Sequence, residues 1–135
     1  RHTVDPFNHK ALRASMGSAL RLPIMTDARY PDIKRACAER NIKVIASRPG
    51  PARAQGVIED AARAEAVLEY TETDMTGPVA LILGSEASGV SKEAAALADA
   101  FVYIPMAEGV ESLNVAAAAA ILLYEAARQR GFQFS

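Results

Sequence analysis

The sequence predicts one α/β domain built on a mostly parallel β-sheet with helices on both faces. Segments typical of strands alternate with segments typical of helices along the 135 residues, which is the pattern of a parallel sheet connected by helices. The run Val79–Leu83 is apolar on both faces, as a central parallel strand is expected to be. Half of the residues are hydrophobic, which excludes a disordered chain. No stretch approaches the ~20 apolar residues of a membrane span.

Local patterns predict the elements of the first half. Every fourth residue of 10–20 is apolar, which predicts a helix there. A proline in the first turn predicts a second helix over 31–40, ended by Asn41. The apolar residues of 43–46 predict a short buried strand, and the prolines and glycine of 47–56 predict a loop.

The second half continues the alternation. Residues 59–68 are alanine-rich and permit a helix, whereas 67–73 favour a strand, so this boundary stays open. After the run Val79–Leu83, the pattern predicts a serine-capped helix over 91–98 and a strand over 101–104. A long alanine-rich helix over 113–130 ends the domain. It is apolar over a broad arc, which predicts burial in the core or pairing with a partner helix.

Charge is distributed unevenly along the chain. Residues 1–53 contain eleven Lys or Arg and four Asp or Glu, whereas residues 54–135 contain four basic and twelve acidic residues. The basic first half predicts a surface that binds a polyanion. The alternative is that two oppositely charged halves of one domain attract each other.

Cysteine and histidine content limits the chemistry. Cys37 is the only cysteine, which excludes a disulfide framework within the chain and fits a reducing compartment. A single cysteine suits the reducing cytoplasm, so we expect a cytoplasmic protein. No signal peptide opens the sequence. Two histidines and one cysteine at scattered positions provide no metal-ligand spacing, so we expect no metal site.

Two loops follow predicted strands, Gly84–Val90 and Pro105–Glu111. Because ligands of parallel sheets bind beyond the carboxyl ends of the strands, we expect the functional site at these loops. The first loop matches neither a phosphate loop, nor a dinucleotide-binding fingerprint, nor a nucleophile elbow. A tight strand-to-helix turn is the alternative explanation for its glycines.

Ser112 and Asn114 precede the last predicted helix and are candidate functional residues. Ser112 is expected to be the N-cap of that helix, which explains it without any functional role. An alanine-rich helix has no evident need for an amide at its start, so Asn114 is the stronger candidate.

Three stretches together resemble the SpoU-type RNA ribose 2′-O-methyltransferases of the SPOUT class. They are Ala11–Ala19, Ala80–Val90 and Ile104–Ala116, and they occur in the order and spacing of that family, ahead of a final helix. The resemblance spans residues 5–129. It implies a C-terminal trefoil knot, S-adenosylmethionine as cofactor, RNA as substrate (ribosomal RNA more often than tRNA), and a homodimer.

The resemblance also implies site residues. It assigns to the cofactor pocket Ser47, Leu83, Gly84, Ile104, Met106 and Leu113. It assigns to the surroundings of the target ribose Arg13, Glu86, Ser112 and Asn114. Since an arginine stays charged in water, Arg13 is expected to clamp a phosphate or hydroxyl rather than act as a base. Glu86 is expected to hold that arginine through a bidentate pair.

One feature of the family is absent from the sequence. Members carry a strand and an Asn-x-Gly…Arg segment upstream of the stretch that Ala11–Ala19 resembles, and that arginine is the one proposed to help activate the ribose hydroxyl. Only residues 1–12 precede Arg13. We therefore expect residues 1–135 to be a SpoU-type catalytic domain without this part, as in a C-terminal fragment. The alternative is a non-catalytic remnant that binds S-adenosylmethionine or RNA, or only dimerises.

Overall fold

A computed structural model describes residues 5–50, 67–85, 89–110 and 112–132. These residues form four helices and four strands. Along the chain they are α1 (His9–Ala14), α2 (Tyr30–Glu39), β1 (Lys43–Ser47), β2 (Val67–Glu69), β3 (Val79–Ile82), α3 (Lys92–Ala95), β4 (Ala100–Tyr103) and α4 (Val115–Gln129). The predicted α/β alternation is therefore confirmed. No helix in the described ranges has the length and apolarity needed to cross a membrane.

The described strands form one sheet in the order β2-β4-β1-β3, and every pair is parallel. The predicted parallel sheet is confirmed, but the prediction that Val79–Leu83 forms a central strand is wrong, because β3 lies at an edge of the described sheet. All four of its residues are half-buried. Val79 and Leu81 still pack against the core, which includes residues of α4. Burial against this helix explains why β3 is apolar although it has only one neighbouring strand in the described sheet.

The main core lies between the sheet and α4. Ile45 of β1 and Val102 of β4 are buried together with Leu122 and Ala126 of α4. Successive side chains of a strand point to opposite faces. Phe101, the neighbour of Val102, is also buried, so both faces of the sheet are covered, as predicted.

The helix predicted over 10–20 is divided in two. α1 ends at Ala14 and a 3₁₀ turn occupies Ser18–Leu20. Between them, Met16 (φ 48°) and Gly17 (φ 85°) adopt left-handed conformations that a right-handed helix cannot contain. The apolar spacing indicated helical structure correctly, but it did not reveal this break.

Asn41 ends α2, as predicted. Its φ of 51° lies in the left-handed region, which a right-handed helix cannot contain. The Asn41 N–H donates to the Ala38 carbonyl at 3.3 Å, and the Ile42 N–H donates to the Cys37 carbonyl at 2.9 Å. This is the Schellman arrangement, which satisfies the last carbonyls of a helix. The chain then enters β1 directly.

The boundary left open between 59 and 73 is decided in part. The strand is confirmed over Val67–Glu69, and a 3₁₀ turn over Tyr70–Glu72 follows it. Residues 59–66 lie outside the described ranges.

The helix predicted over 91–98 is confirmed for Lys92–Ala95. Ser91 caps it as expected, because the Ser91 hydroxyl accepts a hydrogen bond from the Ala94 N–H at 3.1 Å.

The C-terminal end of α4 is attached to the segment that leads into β3. Gln129 accepts a hydrogen bond from the Met75 N–H at 2.8 Å and donates one to the Thr73 carbonyl at 2.9 Å. Arg130 donates to the Met75 carbonyl at 3.1 Å and to the Gly77 carbonyl at 2.6 Å. Thr73 and Met75 are fully buried. Gln129 and Arg130 therefore satisfy the backbone groups of these two buried residues.

Glu125 is a buried carboxylate at the same end of α4. It accepts two hydrogen bonds from the Arg128 guanidinium, at 2.8 and 2.7 Å, and one from the Gln129 amide at 2.8 Å. These bonds, above all those from Arg128, lower the pKa of Glu125 to about 2. The carboxylate is therefore ionised at neutral pH.

Candidate cofactor site

A cavity opens at the carboxyl ends of β1, β3 and β4. Its volume is about 330 Å³, which falls at the lower end of the range for small-molecule sites. The cavity is formed by residues that end or follow these strands and by the beginning of α4. They are Ser47, Arg48, Pro49, Leu83, Gly84, Ser85, Gly89, Ile104, Met106, Ser112, Leu113, Val115 and Ala118. A site at the ends of β3 and β4 was predicted from the sequence.

The cavity brings together all six residues that the resemblance assigns to the cofactor pocket. They come from the ends of three strands and from the segment before α4: Ser47, Leu83, Gly84, Ile104, Met106 and Leu113. Their convergence follows from the parallel sheet, because parallel strands end at the same edge. Their role in binding a cofactor stays a prediction.

Gly84, which follows β3 closely, has no room for a side chain. A Cβ atom there would overlap the backbone of Gly89 and Val90. The backbones of Ser85 and Gly89 lie side by side, since they exchange two hydrogen bonds at 3.1 and 2.9 Å. Gly89 has a φ of 63°, in the left-handed region. The glycines therefore form a tight turn, and this turn lines the cavity.

Asn114, and not Ser112, is the N-cap of α4. The Oδ1 atom of Asn114 accepts a hydrogen bond from the Ala116 N–H at 2.9 Å. The prediction that Ser112 caps the helix is therefore wrong. The expectation that the helix has no need for an amide here is also wrong, because the cap satisfies an N–H of the first turn. Ser112 lines the cavity, and Asn114 lies between Leu113 and Val115, which line it too.

The structure does not bring Arg13 to the cavity. Arg13 is an exposed residue of α1 and is not among the lining residues. Glu86 lies outside the described residues, so the predicted pair between Glu86 and Arg13 stays a prediction.

Arg48 lines the cavity, although it was not among the residues predicted from the sequence. Its guanidinium carbon lies 3.4 Å from the centroid of the Phe101 ring, a cation–π contact. Its backbone N–H donates to the Val102 carbonyl at 2.8 Å. Arg48 directly follows β1, so the rule that ligands bind beyond strand ends would have selected it.

Two further lining residues, Val115 and Ala118, were also missed. They are three residues apart on α4 and therefore share one face of the helix. That spacing is visible in the sequence.

Within the described ranges, no three His, Cys, Asp or Glu residues are grouped so that they could hold a metal ion.

The sequence profile of the SpoU rRNA Methylase family matches residues 1–124. The chain belongs to the SpoU rRNA methylase family. This confirms the resemblance carried by the three stretches, and the matched region includes every residue that lines the cavity.

Relatives of known activity modify both tRNA and ribosomal RNA. The tRNA (guanosine(18)-2′-O)-methyltransferase of Thermus thermophilus is 53% identical over 62 residues, which cover 46% of this chain and 32% of the relative. The 23S rRNA (guanosine-2′-O-)-methyltransferase of Pectobacterium atrosepticum is 31% identical over 124 residues, which cover 92% of this chain and 45% of the relative. The chain thus spans less than half the length of these relatives.

Solved structures of methyltransferases share the fold. AviRb from Streptomyces viridochromogenes in complex with AdoMet superimposes with a TM-score of 0.77 at 29% identity, over 98% of this chain and 48% of AviRb. The AdoMet-bound rRNA methyltransferase from Sinorhizobium meliloti has a TM-score of 0.74 at 32% identity, over 100% of this chain and 45% of that protein. The parallel α/β fold is therefore the SpoU fold, for which the trefoil knot stays the expected C-terminal topology.

Proposed function

We propose that this chain is the catalytic domain of an S-adenosylmethionine-dependent RNA methyltransferase that methylates a ribose 2′-hydroxyl. The observation that carries the proposal is the cavity at three parallel strand ends, lined by all six residues assigned to the cofactor. Relatives named as RNA 2′-O-methyltransferases and AdoMet-bound structural neighbours support it.

The cavity lining fits an adenosine-containing cofactor. Leu83, Ile104 and Leu113 provide apolar surface, while Ser47 and Ser112 provide hydroxyl groups. Apolar walls with a few polar groups are typical of sites that hold small organic ligands. The backbone at the strand ends adds N–H and carbonyl groups beside this apolar surface.

When bound, S-adenosylmethionine supplies a methyl group on a sulfonium. The residues of the chain then have to orient the ribose and ease the loss of its hydroxyl proton. We assign hydrogen bonds to the ribose or its phosphate to Ser112 and Asn114, because both lie where α4 begins beside the cavity. Arg13 is assigned to a phosphate or hydroxyl of the RNA, and Glu86 to the placement of Arg13.

The proposed substrate is ribosomal RNA rather than tRNA. The 23S rRNA relative aligns along 92% of the chain, whereas the tRNA relatives from Thermus thermophilus and Escherichia coli K12 align along 46% and 47%. The basic first half supplies exposed cations for phosphate contacts, among them Arg13, Arg21 and Arg29. Such contacts give affinity without selecting a sequence.

The proposed assembly is a cytoplasmic homodimer. Leu123 and Tyr124 of α4 are 59% and 64% exposed, so the core leaves part of the apolar arc of this helix uncovered. Light scattering is expected to give twice the 14.4 kDa mass of one chain. A mass of one chain at every concentration would contradict the proposed dimer.

Binding and transfer are measured separately to test the activity. Calorimetry on the folded chain is expected to detect S-adenosylmethionine and S-adenosylhomocysteine. Methyl transfer is measured with the full-length protein and labelled S-adenosylmethionine, on 23S rRNA and on tRNA. Label in tRNA alone would identify tRNA as the substrate. Binding of S-adenosylmethionine without methyl transfer to either RNA would favour the non-catalytic remnant.

A further inference from the structure

Arg48 provides the charge of the cavity. Every other lining residue in the described part of the chain is apolar, a hydroxyl residue or a glycine. Arg48 follows Ser47, the last residue of β1, and β1 lies beside both β3 and β4 in the sheet. A positive charge is thus located between the two loops whose residues are assigned to the cofactor.

The Arg48 side chain is held by an aromatic ring. Its guanidinium lies 3.4 Å from the centroid of Phe101, and Phe101 is only 1% exposed. A ring in this position covers one face of the guanidinium and fixes it by cation–π attraction. The N–H groups at the edge of the guanidinium are the part that remains for a ligand.

The described residues supply no anionic partner for Arg48. Ion pairs in these ranges involve Arg35, Arg40 and Arg128, and the Arg48 guanidinium donates no hydrogen bond to a described residue. An arginine is always charged in a protein. A cation of this kind beside a cavity favours a ligand with a carboxylate or a phosphate group.

We infer that Arg48 binds the carboxylate at the amino-acid end of the cofactor and so sets its orientation in the cavity. The inference rests on the proposed cofactor, S-adenosylmethionine, which carries a single carboxylate. The planar guanidinium matches a carboxylate through two parallel hydrogen bonds. The position of Arg48 between the two cofactor loops favours this ligand over an RNA phosphate.

The test compares two ligands that differ only at this end. S-adenosylhomocysteine carries the carboxylate, and 5′-methylthioadenosine lacks the whole amino-acid part. Arg48→Met removes the charge but keeps a long apolar side chain that can cover Phe101. Calorimetry is expected to show about 10-fold weaker binding of S-adenosylhomocysteine by this variant, with binding of 5′-methylthioadenosine unchanged. Arg48→Lys is expected to restore part of the affinity, since it keeps the charge but not the planar fork.

Arg40→Gln is the matched control. It removes the same charge at the opposite end of β1, where no lining residue lies, and both affinities are expected to stay unchanged. Equal weakening of both ligands by Arg48→Met would overturn the inference, because it would indicate a structural role. If Arg48→Met left the affinity for S-adenosylhomocysteine unchanged but weakened RNA binding, the inference would be overturned, and Arg48 would instead bind an RNA phosphate. If the wild-type chain bound neither ligand, the proposed function would fail as well.

Discussion

The two ends of α4 differ in what surrounds them. At the C-terminal end, Glu125 is buried, and Gln129 and Arg130 are hydrogen-bonded to the segment before β3. At the N-terminal end, Ser112 and Asn114 are exposed beside the cavity. Within one helix, the bonds that stabilise the fold are therefore concentrated away from the cavity. Changes at the C-terminal end should affect stability, and changes at the N-terminal end should affect activity.

The largest effect that would sharpen this comparison is expected from Asn114→Asp. Aspartate is as good an N-cap as asparagine, so the free energy of unfolding should stay close to the wild-type value. The variant loses the amide donors assigned to the substrate. Loss of one positioned donor typically costs ~10²-fold or more in rate, so methyl transfer by the full-length protein should fall by about that factor. Initial rates and urea denaturation measure the two quantities.

Asn114→Ala is the control, because it removes both the donors and the cap. It should lose about 1 kcal/mol of stability in addition to the activity. A wild-type rate in Asn114→Asp would show that the Asn114 amide does not donate to the substrate.

The second prediction concerns the C-terminal end, where Gln129→Ala should destabilise the fold. The change removes the partners of the Met75 N–H and the Thr73 carbonyl. Each buried polar group left without a partner costs about 1–3 kcal/mol, and urea denaturation should show a loss of about 2–3 kcal/mol. The affinity of the folded protein for S-adenosylhomocysteine should not change.

Arg35→Ala provides the reference for that measurement. Arg35 forms an exposed ion pair with Asp32 at 2.9 Å, and such pairs contribute about 0–1 kcal/mol. A loss in Gln129→Ala no larger than in Arg35→Ala would contradict the proposed difference between the two ends.

A third, smaller effect is expected at the cavity end from Gly84→Ala. The added Cβ forces the backbone of Gly89 and Val90 to move, and crowding of this kind costs about 1–3 kcal/mol. Binding of S-adenosylhomocysteine, measured by calorimetry, should weaken about 10-fold. Gly77→Ala is the matched control, because a Cβ at Gly77 has no neighbour within 4 Å. Equal affinities in the two variants would argue against a role of this turn in binding.

The last prediction is a pH dependence of stability that Glu125 should produce. Its pKa in the folded protein is about 2, below the ordinary value of 4.5, because Arg128 and Gln129 donate to the ionised form. The unfolded chain therefore binds this proton first as the pH falls. The stabilisation is complete above about pH 5 and is lost progressively towards pH 2.

Urea midpoints between pH 7 and pH 3 test this dependence. They should fall less steeply in Glu125→Gln than in the wild type. Asp74, whose pKa is lowered by hydrogen bonds from Thr76, keeps part of the dependence in both proteins. Identical slopes would show that the hydrogen bonds of Glu125 do not stabilise the fold.

Local patterns in the sequence determined most of the elements and the sheet edge where the cavity lies. The apolar runs predicted β1, β3 and β4, and the glycine and proline positions predicted the loops after them. Because parallel strands end at one edge, those predictions were enough to place a site there. The six assigned cofactor residues, which the family resemblance supplied, converge on that edge for the same reason.

Tertiary structure decided the features that depend on the path of the backbone and on distant partners. Ser112 and Asn114 are both good caps two residues apart, and only the point where α4 begins selects Asn114. The apolarity of β3 indicates burial, but burial does not specify a position in the sheet. Glu125 has the residue type of an exposed helix position, yet packing buries it beside Gln129, which is bonded to Thr73 and Met75 more than fifty residues earlier. Contacts over such separations leave no local pattern in the sequence.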